Sequence, residues 1–401
     1  MRQHYKYIFI LLMAFFEFSS LYANNHLDEF LSEDDFRKKI APMLMFGFPG
    51  FSEESNMVEF FLNEIENQHI GGVVLFSKNI NTSEQLKALT ESIKRASNDN
   101  ILIAVDQEGG RVERLSAKNG FHHTESPKTI ALSQSLEDAQ VIYENMAKML
   151  FDHGINFNLA PVVDLDNFDA PCPVIGGLER SFSNKTETVV SFAKSFIHAH
   201  KMHKILTSLK HFPGHGFAPY DSHIGLVDVT DTVSPLELEP FFELIKENLA
   251  DSVMTAHIMN KNLDPKYPAT MSRNILQGVL RDDLSFDGVV ISDDMQMGAI
   301  KKEFSLKDAI VNAINAGCDI LIFSNNTPEL RKVEDIDSLL VVKNELDFLT
   351  PYNVSHIIYN AYRTGGLTMD RIDKSLERIQ KIKNTFQDND GLKGKIRKDE
   401  L

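Results

Sequence analysis

The chain has 401 residues, with 41 Lys and Arg against 57 Asp and Glu and a formal net charge of −16. Hydrophobic residues make up 43% and charged residues 24%, ordinary globular values that exclude disorder across the whole chain. A single long apolar run, at the N-terminus, excludes a polytopic membrane protein, and the acidity argues against a nucleic-acid partner, whose phosphates it would repel.

Residues 1–23 read as an export signal. Arg2 and Lys6 supply positive charge, and the apolar run Ile8–Phe16 is too short to span a bilayer as a helix. Ser19, Ser20 and Ala23 are small, and cleavage is expected after Ala23; an uncleaved anchor is the alternative. From there, short apolar runs that end in polar residues predict eight strands: Met43–Phe46, Gly72–Phe76, Ile101–Val105, Ile155–Leu159, Ile205–Leu209, Ser252–Ala256, Val289–Ile291 and Ile320–Phe323. Their near-continuous hydrophobicity is that of parallel strands buried on both faces. Helical patterns fill the gaps at Met57–Asn67, Ser83–Ala96, Glu137–His153, Thr186–Lys201, Pro235–Asn248, Ser272–Leu280 and Leu306–Ala316. Beyond the last strand only helices are predicted, Val354–Arg363 and Met369–Thr385, expected to pack outside.

This alternation predicts an α/β fold, a (β/α)₈ TIM-like barrel forming a single catalytic domain over residues 24–386. A doubly wound sheet is the alternative, but Gly47-Phe-Pro-Gly50 after the first strand is not a dinucleotide fingerprint. Residues 387–401 read as a flexible tail. It ends in Lys398-Asp-Glu-Leu401, which has the form of an ER-retention address or is a coincidental charged end. Cys172 and Cys318 are the two cysteines; they could pair in an oxidising compartment, although Cys318, opening an apolar run, reads as a buried small residue.

The polar residues that follow the strands carry the functional signal. Strand three ends in Asp106, with Glu108, Arg111 and Arg114 behind it; strand four leads to Asp164 and Asp166; strand five runs into Lys210-His211; strand six ends at His257; strand seven ends in Asp293-Asp294. In a barrel these positions converge on one face, where active sites are built. The densest stretch is Lys210-His-Phe-Pro-Gly-His-Gly216, followed by Asp221-Ser-His223. Asp221 and His223 are spaced for a carboxylate–imidazole hydrogen bond within a turn, an arrangement suited to general acid/base work. His211, His215, Asp221 and His223 are also residue types that could ligate a metal. Asp293 and Asp294 are candidates to attack or stabilise a cationic centre; pleating places them on opposite faces without saying which one meets the pocket. Arg180 is a candidate clamp for a hydroxyl or carboxylate.

Together these motifs resemble the bacterial β-N-acetylhexosaminidases of glycoside hydrolase family 3. The resemblance rests on Lys210-His-Phe-Pro-Gly-His-Gly with Asp221-Ser-His223, on Ile103-Ala-Val-Asp106-Gln-Glu-Gly-Gly-Arg111-Val, on Asn158-Leu-Ala-Pro-Val-Val-Asp164, on Arg180-Ser-Phe and on Gly288-Val-Val-Ile-Ser-Asp293-Asp-Met. It implies a (β/α)₈ barrel and an exo-acting retaining β-N-acetylglucosaminidase. Asp293 would be the nucleophile, His223 the acid/base group and Asp221 its partner. Asp106, Arg114, Arg180, Lys210 and His211 would hold a terminal N-acetylglucosamine. The family needs no metal or other cofactor, so the resemblance sets the metal reading aside. Alternatives are a β-glucosidase of the same family, or a catalytically silent glycan-binding barrel. Two features depart from the usual pattern. The export signal implies action in the periplasm or outside the cell, on peptidoglycan fragments or related glycans, where many relatives are cytoplasmic. The chain also has no Trp to stack on sugar rings.

Overall fold

The computed structural model describes residues 31–326 and 348–387. The expected signal segment, all but the first residue of the expected tail, and the terminal Lys-Asp-Glu-Leu lie outside the described residues. By internal contacts the chain divides into two units, Met1–Phe36 and Arg37–Leu401. Of the first, residues 31–36 are described, and they hold the start of the helix Glu33–Ile40.

The second unit is built on eight strands, β1 (Leu44–Phe46), β2 (Gly72–Leu75), β3 (Leu102–Val105), β4 (Phe157–Asn158), β5 (Leu206–Phe212), β6 (Ser252–Thr255), β7 (Val289–Asp294) and β8 (Ile320–Phe323). Each pairs in parallel with its chain neighbours, and β1 pairs with β8, so the barrel is closed. Its register is set by apolar side chains with nowhere else to go: Val73, Val74 and Leu75 of β2 lie beside Ile103, Ala104 and Val105 of β3, all buried. All eight expected strands are present, with ends displaced by a few residues.

The intervening helices follow the predicted pattern, with local differences that have physical causes. Ser83–Ala96 is a helix, but its N-cap is Thr82, whose hydroxyl accepts from the Gln85 amide. The Glu137–His153 pattern is the helix Leu136–Asp152, capped by Ser135 and ended by Gly154 at φ +74°. Pro235–Asn248 splits into a 3₁₀ turn, Pro235–Leu238, and an α-helix, Glu239–Lys246, that begins just before Pro240. The predicted helix at Ser272–Leu280 is a π-helix over Asn274–Asp283. The short helix Pro127–Ser133 and two small ribbons, Gln107–Gly109 with Val112–Glu113 and Val227–Asp228 with Ile258–Met259, were not anticipated.

The C-terminal helices Pro351–Arg363 and Met369–Gln387 pack outside the barrel, as predicted. Asp319, fully buried just before β8, receives Arg371 and Ser375 of the last helix, together with Arg281. Among the described residues no helix is long and apolar enough to cross a membrane. Cys172 and Cys318 do not pair: both are free and buried, Cys172 beside the His215 ring and Cys318 against the Thr270 carbonyl.

Candidate active site

A pocket of about 400 Å³ opens at the C-terminal ends of the strands. Asp106, Arg114, Arg180, Lys210, His211, His223 and Asp293 all line it, so seven of the eight site residues implied by the resemblance share one cavity. The eighth, Asp221, stands behind His223. Arg111 is exposed and does not line the pocket, and Asp166 pairs with Lys128 away from it.

The floor is a buried ion network. Lys210, near the end of β5, donates to Asp106 Oδ1 at 2.8 Å and reaches Glu108 Oε1 at 2.6 Å. Arg180 grips both oxygens of Glu108 at 2.8 Å, with its third nitrogen on the Val174 carbonyl. Arg114 completes the set through Asp106 Oδ2 at 2.9 Å and lies 5.7 Å over the Phe76 ring. The side chains of Lys210 and Glu108 are only 2% and 1% exposed, so neither charge is solvated by water. Burial alone would raise the carboxyl pKa values. The cations overcome it: Lys210 and Arg114 hold Asp106 far below the carboxylate range, and Arg180 with Lys210 brings Glu108 down to about 2. The result is a fixed set of charges and donors on the pocket floor.

His211 is oriented from behind. Asp164, fully buried after β4, accepts from its Nδ1 at 2.7 Å and from its backbone amide at 3.0 Å. A third bond to the same carboxylate comes from the His215 amide at 2.9 Å. This holds His211 Nε2 toward Arg180 and the pocket.

β7 brings both of its terminal aspartates to the pocket, because its pairing with β8 shifts register between Ile291 and Asp294. The simple alternation of faces therefore does not hold at this end. The two carboxylates have different surroundings. Asp294 accepts from the Ser324 amide and hydroxyl and from the Gln296 amide, and is committed to the loop after β8. Burial, aided by the neighbouring Asp293 charge, nevertheless pushes its pKa up. Asp293 accepts only the adjacent Asp294 amide among its described contacts. Burial would raise its pKa too, but the imidazoles of His257, His211 and His223 outweigh it and hold it down. The two adjacent carboxyls are thus shifted in opposite directions, and of the two Asp293 is the one left without a commitment to a neighbouring loop. His257 itself is buried beneath the pair, its Nε2 donating to the Asp294 carbonyl at 3.0 Å.

The loop after β5 carries His223 over this floor. Asp221 Oδ1 accepts from His223 Nδ1 at 2.8 Å and from its backbone amide at 2.8 Å, an internal turn that fixes the ring. His223 is well exposed, with 61% of its side chain open. Among the described residues no group of three or more His, Cys, Asp or Glu is arranged to hold a metal ion. The loop imidazoles are instead committed one by one, His211 to Asp164, His215 to Ser222 and His223 to Asp221.

Residues 36–382 match the family model described as the glycosyl hydrolase family 3 N terminal domain. The chain belongs to glycosyl hydrolase family 3. A relative from Tolumonas auensis named beta-hexosaminidase is 37% identical over 262 residues, covering 64% of this chain and 76% of the relative. Beta-hexosaminidase A of Pseudoalteromonas piscicida is 31% identical over 340 residues, 80% of this chain and 54% of that one. Among solved structures, a family 3 β-N-acetylglucosaminidase from Paenibacillus superposes with a TM-score of 0.74 at 29% identity over 88% of this chain and 62% of that one. A β-N-acetylhexosaminidase from Beutenbergia cavernae gives a TM-score of 0.74 at 25% identity over 88% of this chain and 99% of that one.

Within this family 3 barrel, three residues matter that sequence reasoning left without a role. Glu108 and Asp164 were legible as polar residues after strands, but their function as seats for Arg180, Lys210 and His211 was not. Glu237 gave no signal at all. It is buried near the start of an amphipathic segment, where its Oε1 accepts the Gly216 amide at 2.7 Å and the Phe217 amide at 3.3 Å.

Proposed function

We propose that the protein is an exo-acting, retaining β-N-acetylglucosaminidase that removes terminal N-acetylglucosamine from peptidoglycan fragments or related glycans in the periplasm or outside the cell. The observation that carries this reading is the convergence of Asp293 and His223 on one pocket whose floor is the Asp106–Lys210–Glu108–Arg180 network. The names of the relatives support the sugar; the export signal read in the sequence supports the location.

The chemistry follows from the side chains. Arg114, Arg180, Lys210 and His211 present donors, and Asp106 an acceptor, to the hydroxyls and amide of a sugar ring lodged in the pocket. Asp293, held ionised, attacks the anomeric carbon. His223, with Nδ1 committed to Asp221, uses Nε2 to protonate the departing glycosidic oxygen. The C–O bond to the leaving group breaks as the bond to Asp293 forms, giving a glycosyl-enzyme. His223, now neutral, takes a proton from water; the resulting attack on the anomeric carbon releases Asp293 and the sugar with net retention. A neutral imidazole in the base role adds no second negative charge beside Asp293.

The test is hydrolysis of 4-nitrophenyl β-N-acetylglucosaminide beside the matching β-glucoside, with Asp293→Ala as the blank. Release from the N-acetylated substrate alone is the expected result. Release from the glucoside alone makes the protein a β-glucosidase, and no release from either by folded protein makes it a silent barrel.

A further inference from the structure

The hydrogen bond between Asp221 and His223 fixes the imidazole within its own turn, but it does not fix where that turn sits above the pocket. Something else must hold it there. The loop leaves β5 at Phe212 and has two kinds of residue. His215, Gly216 and Ala218 are buried, whereas Tyr220 is 71% exposed and the chain there runs in solvent. Ser222 then dips back inside, 3% exposed between a half-buried Asp221 and an exposed His223. Its hydroxyl meets His215 Nε2 at 2.9 Å.

His215 is itself held in place. Its amide donates to Asp164, its Nδ1 lies 3.6 Å from Cys172 Sγ, and the next two amides donate to Glu237 Oε1. The backbone here packs closely at two glycines. A side chain at Gly214, where φ is +125°, would collide with Glu237, and one at Gly216 with the Leu165 carbonyl. On its far side the turn is tethered through the His223 carbonyl to the Gly298 amide at 3.3 Å and the Ile224 carbonyl to Lys302 Nζ at 2.7 Å.

We propose that Glu237 and His215 are positioning residues for the acid/base turn, acting in series: Glu237 pins the Gly216–Phe217 backbone, this fixes the His215 ring, and that ring holds Ser222 and with it the pose of Asp221 and His223. The relay rests on the reading of His223 as the acid/base group. Burial, reinforced by the His211 charge, holds the His215 pKa down at about 4, so the contact to Ser222 is one of neutral partners near neutral pH.

The experiment compares kcat/KM, which reports the first bond-breaking step, on methyl and 4-nitrophenyl β-N-acetylglucosaminide. The methyl glycoside needs its leaving oxygen protonated; the nitrophenyl one barely does. Ser222→Ala removes one oxygen. It is expected to lower kcat/KM on the methyl glycoside at least fivefold, the factor of roughly one neutral hydrogen bond, and on the aryl glycoside less than twofold. Glu237→Gln keeps an oxygen for the two loop amides and stays within twofold on both substrates; Glu237→Leu, where it folds, follows Ser222→Ala. A Ser222→Ala enzyme within twofold on both substrates, or equally impaired on both, overturns the relay. His223→Ala is run alongside. Dependence on the leaving group there but not in Ser222→Ala sinks the relay alone, whereas its absence in His223→Ala removes the acid/base reading and the relay with it.

Discussion

Glu108 offers the sharpest test of how the pocket floor is held. Replacing it by Ala deletes the carboxylate that receives Arg180 through two nitrogens and Lys210 through a third contact at 2.6 Å. Lys210 is left with Asp106, and Arg180 keeps the Val174 carbonyl but no carboxylate in hydrogen-bond contact. Breaking a buried pair from one side costs ~3–5 kcal/mol, because the surviving charge remains desolvated. For a domain of this size that lowers Tm by roughly 4–7 °C. The pH dependence carries its own sign. Glu108 has a folded pKa depressed to about 2, so its contribution is complete above the unfolded carboxyl value and is lost as pH falls through about 2. The gap between parent and variant, measured by thermal or urea unfolding, is therefore widest near pH 6–7 and narrows steadily below roughly pH 4.5. Arg180 also loses its orientation, so KM for the aryl N-acetylglucosaminide rises. A Tm within a degree of the parent at neutral pH, or a gap independent of pH, refutes the claim that the network is charge-paired.

Asp293→Ala is expected to abolish turnover with the parent's Tm retained; undiminished hydrolysis removes Asp293 from the nucleophile role. His223→Ala loses more activity as the leaving group worsens, read as the slope of log kcat/KM against leaving-group pKa; a flat slope counts against proton donation by His223. Glu237, whose pKa burial raises to about 8, binds its proton more tightly folded than unfolded, so the parent loses stability as pH rises from about 5 through 8. In Glu237→Gln that decline is absent, as urea midpoints across this range will show, and an identical decline in both proteins rules Glu237 out as its source. Incubation with a chelator should leave turnover unchanged; a loss restored by a divalent ion would return the loop histidines to a metal role.

The barrel was legible because its strands are buried on both faces, so that Gly72–Leu75 or Ile320–Phe323 is apolar at every position and cannot be mistaken for a surface segment. The Asp221–His223 pair was legible because its hydrogen bond closes across two residues. The supports of the site were not, since each is made across a long stretch of chain: 72 residues from Arg180 to Glu108, 47 from His211 to Asp164, 21 from Gly216 to Glu237. Nothing local in Ser-Pro-Leu-Glu237 distinguishes a carboxyl that will grip a loop from one that faces solvent. Pleating failed at Asp293-Asp294 for another reason. Alternation assumes a regular ladder, and the ladder slips one step before the pocket.

The groups on the floor sit on strand ends or in buried turns beside them, while His223 rides at the far end of a loop whose middle, at Tyr220, stands in water. This divides the protein into parts that can change at different rates. On the proposed mechanism, lengthening or shortening the exposed stretch between Ala218 and Asp221 would alter how much room a leaving group finds beneath the imidazole, while the floor stays as it is. If the floor selects the sugar as proposed, descendants of this barrel could exchange one aglycone for another through a few solvent-facing residues and keep the terminal sugar.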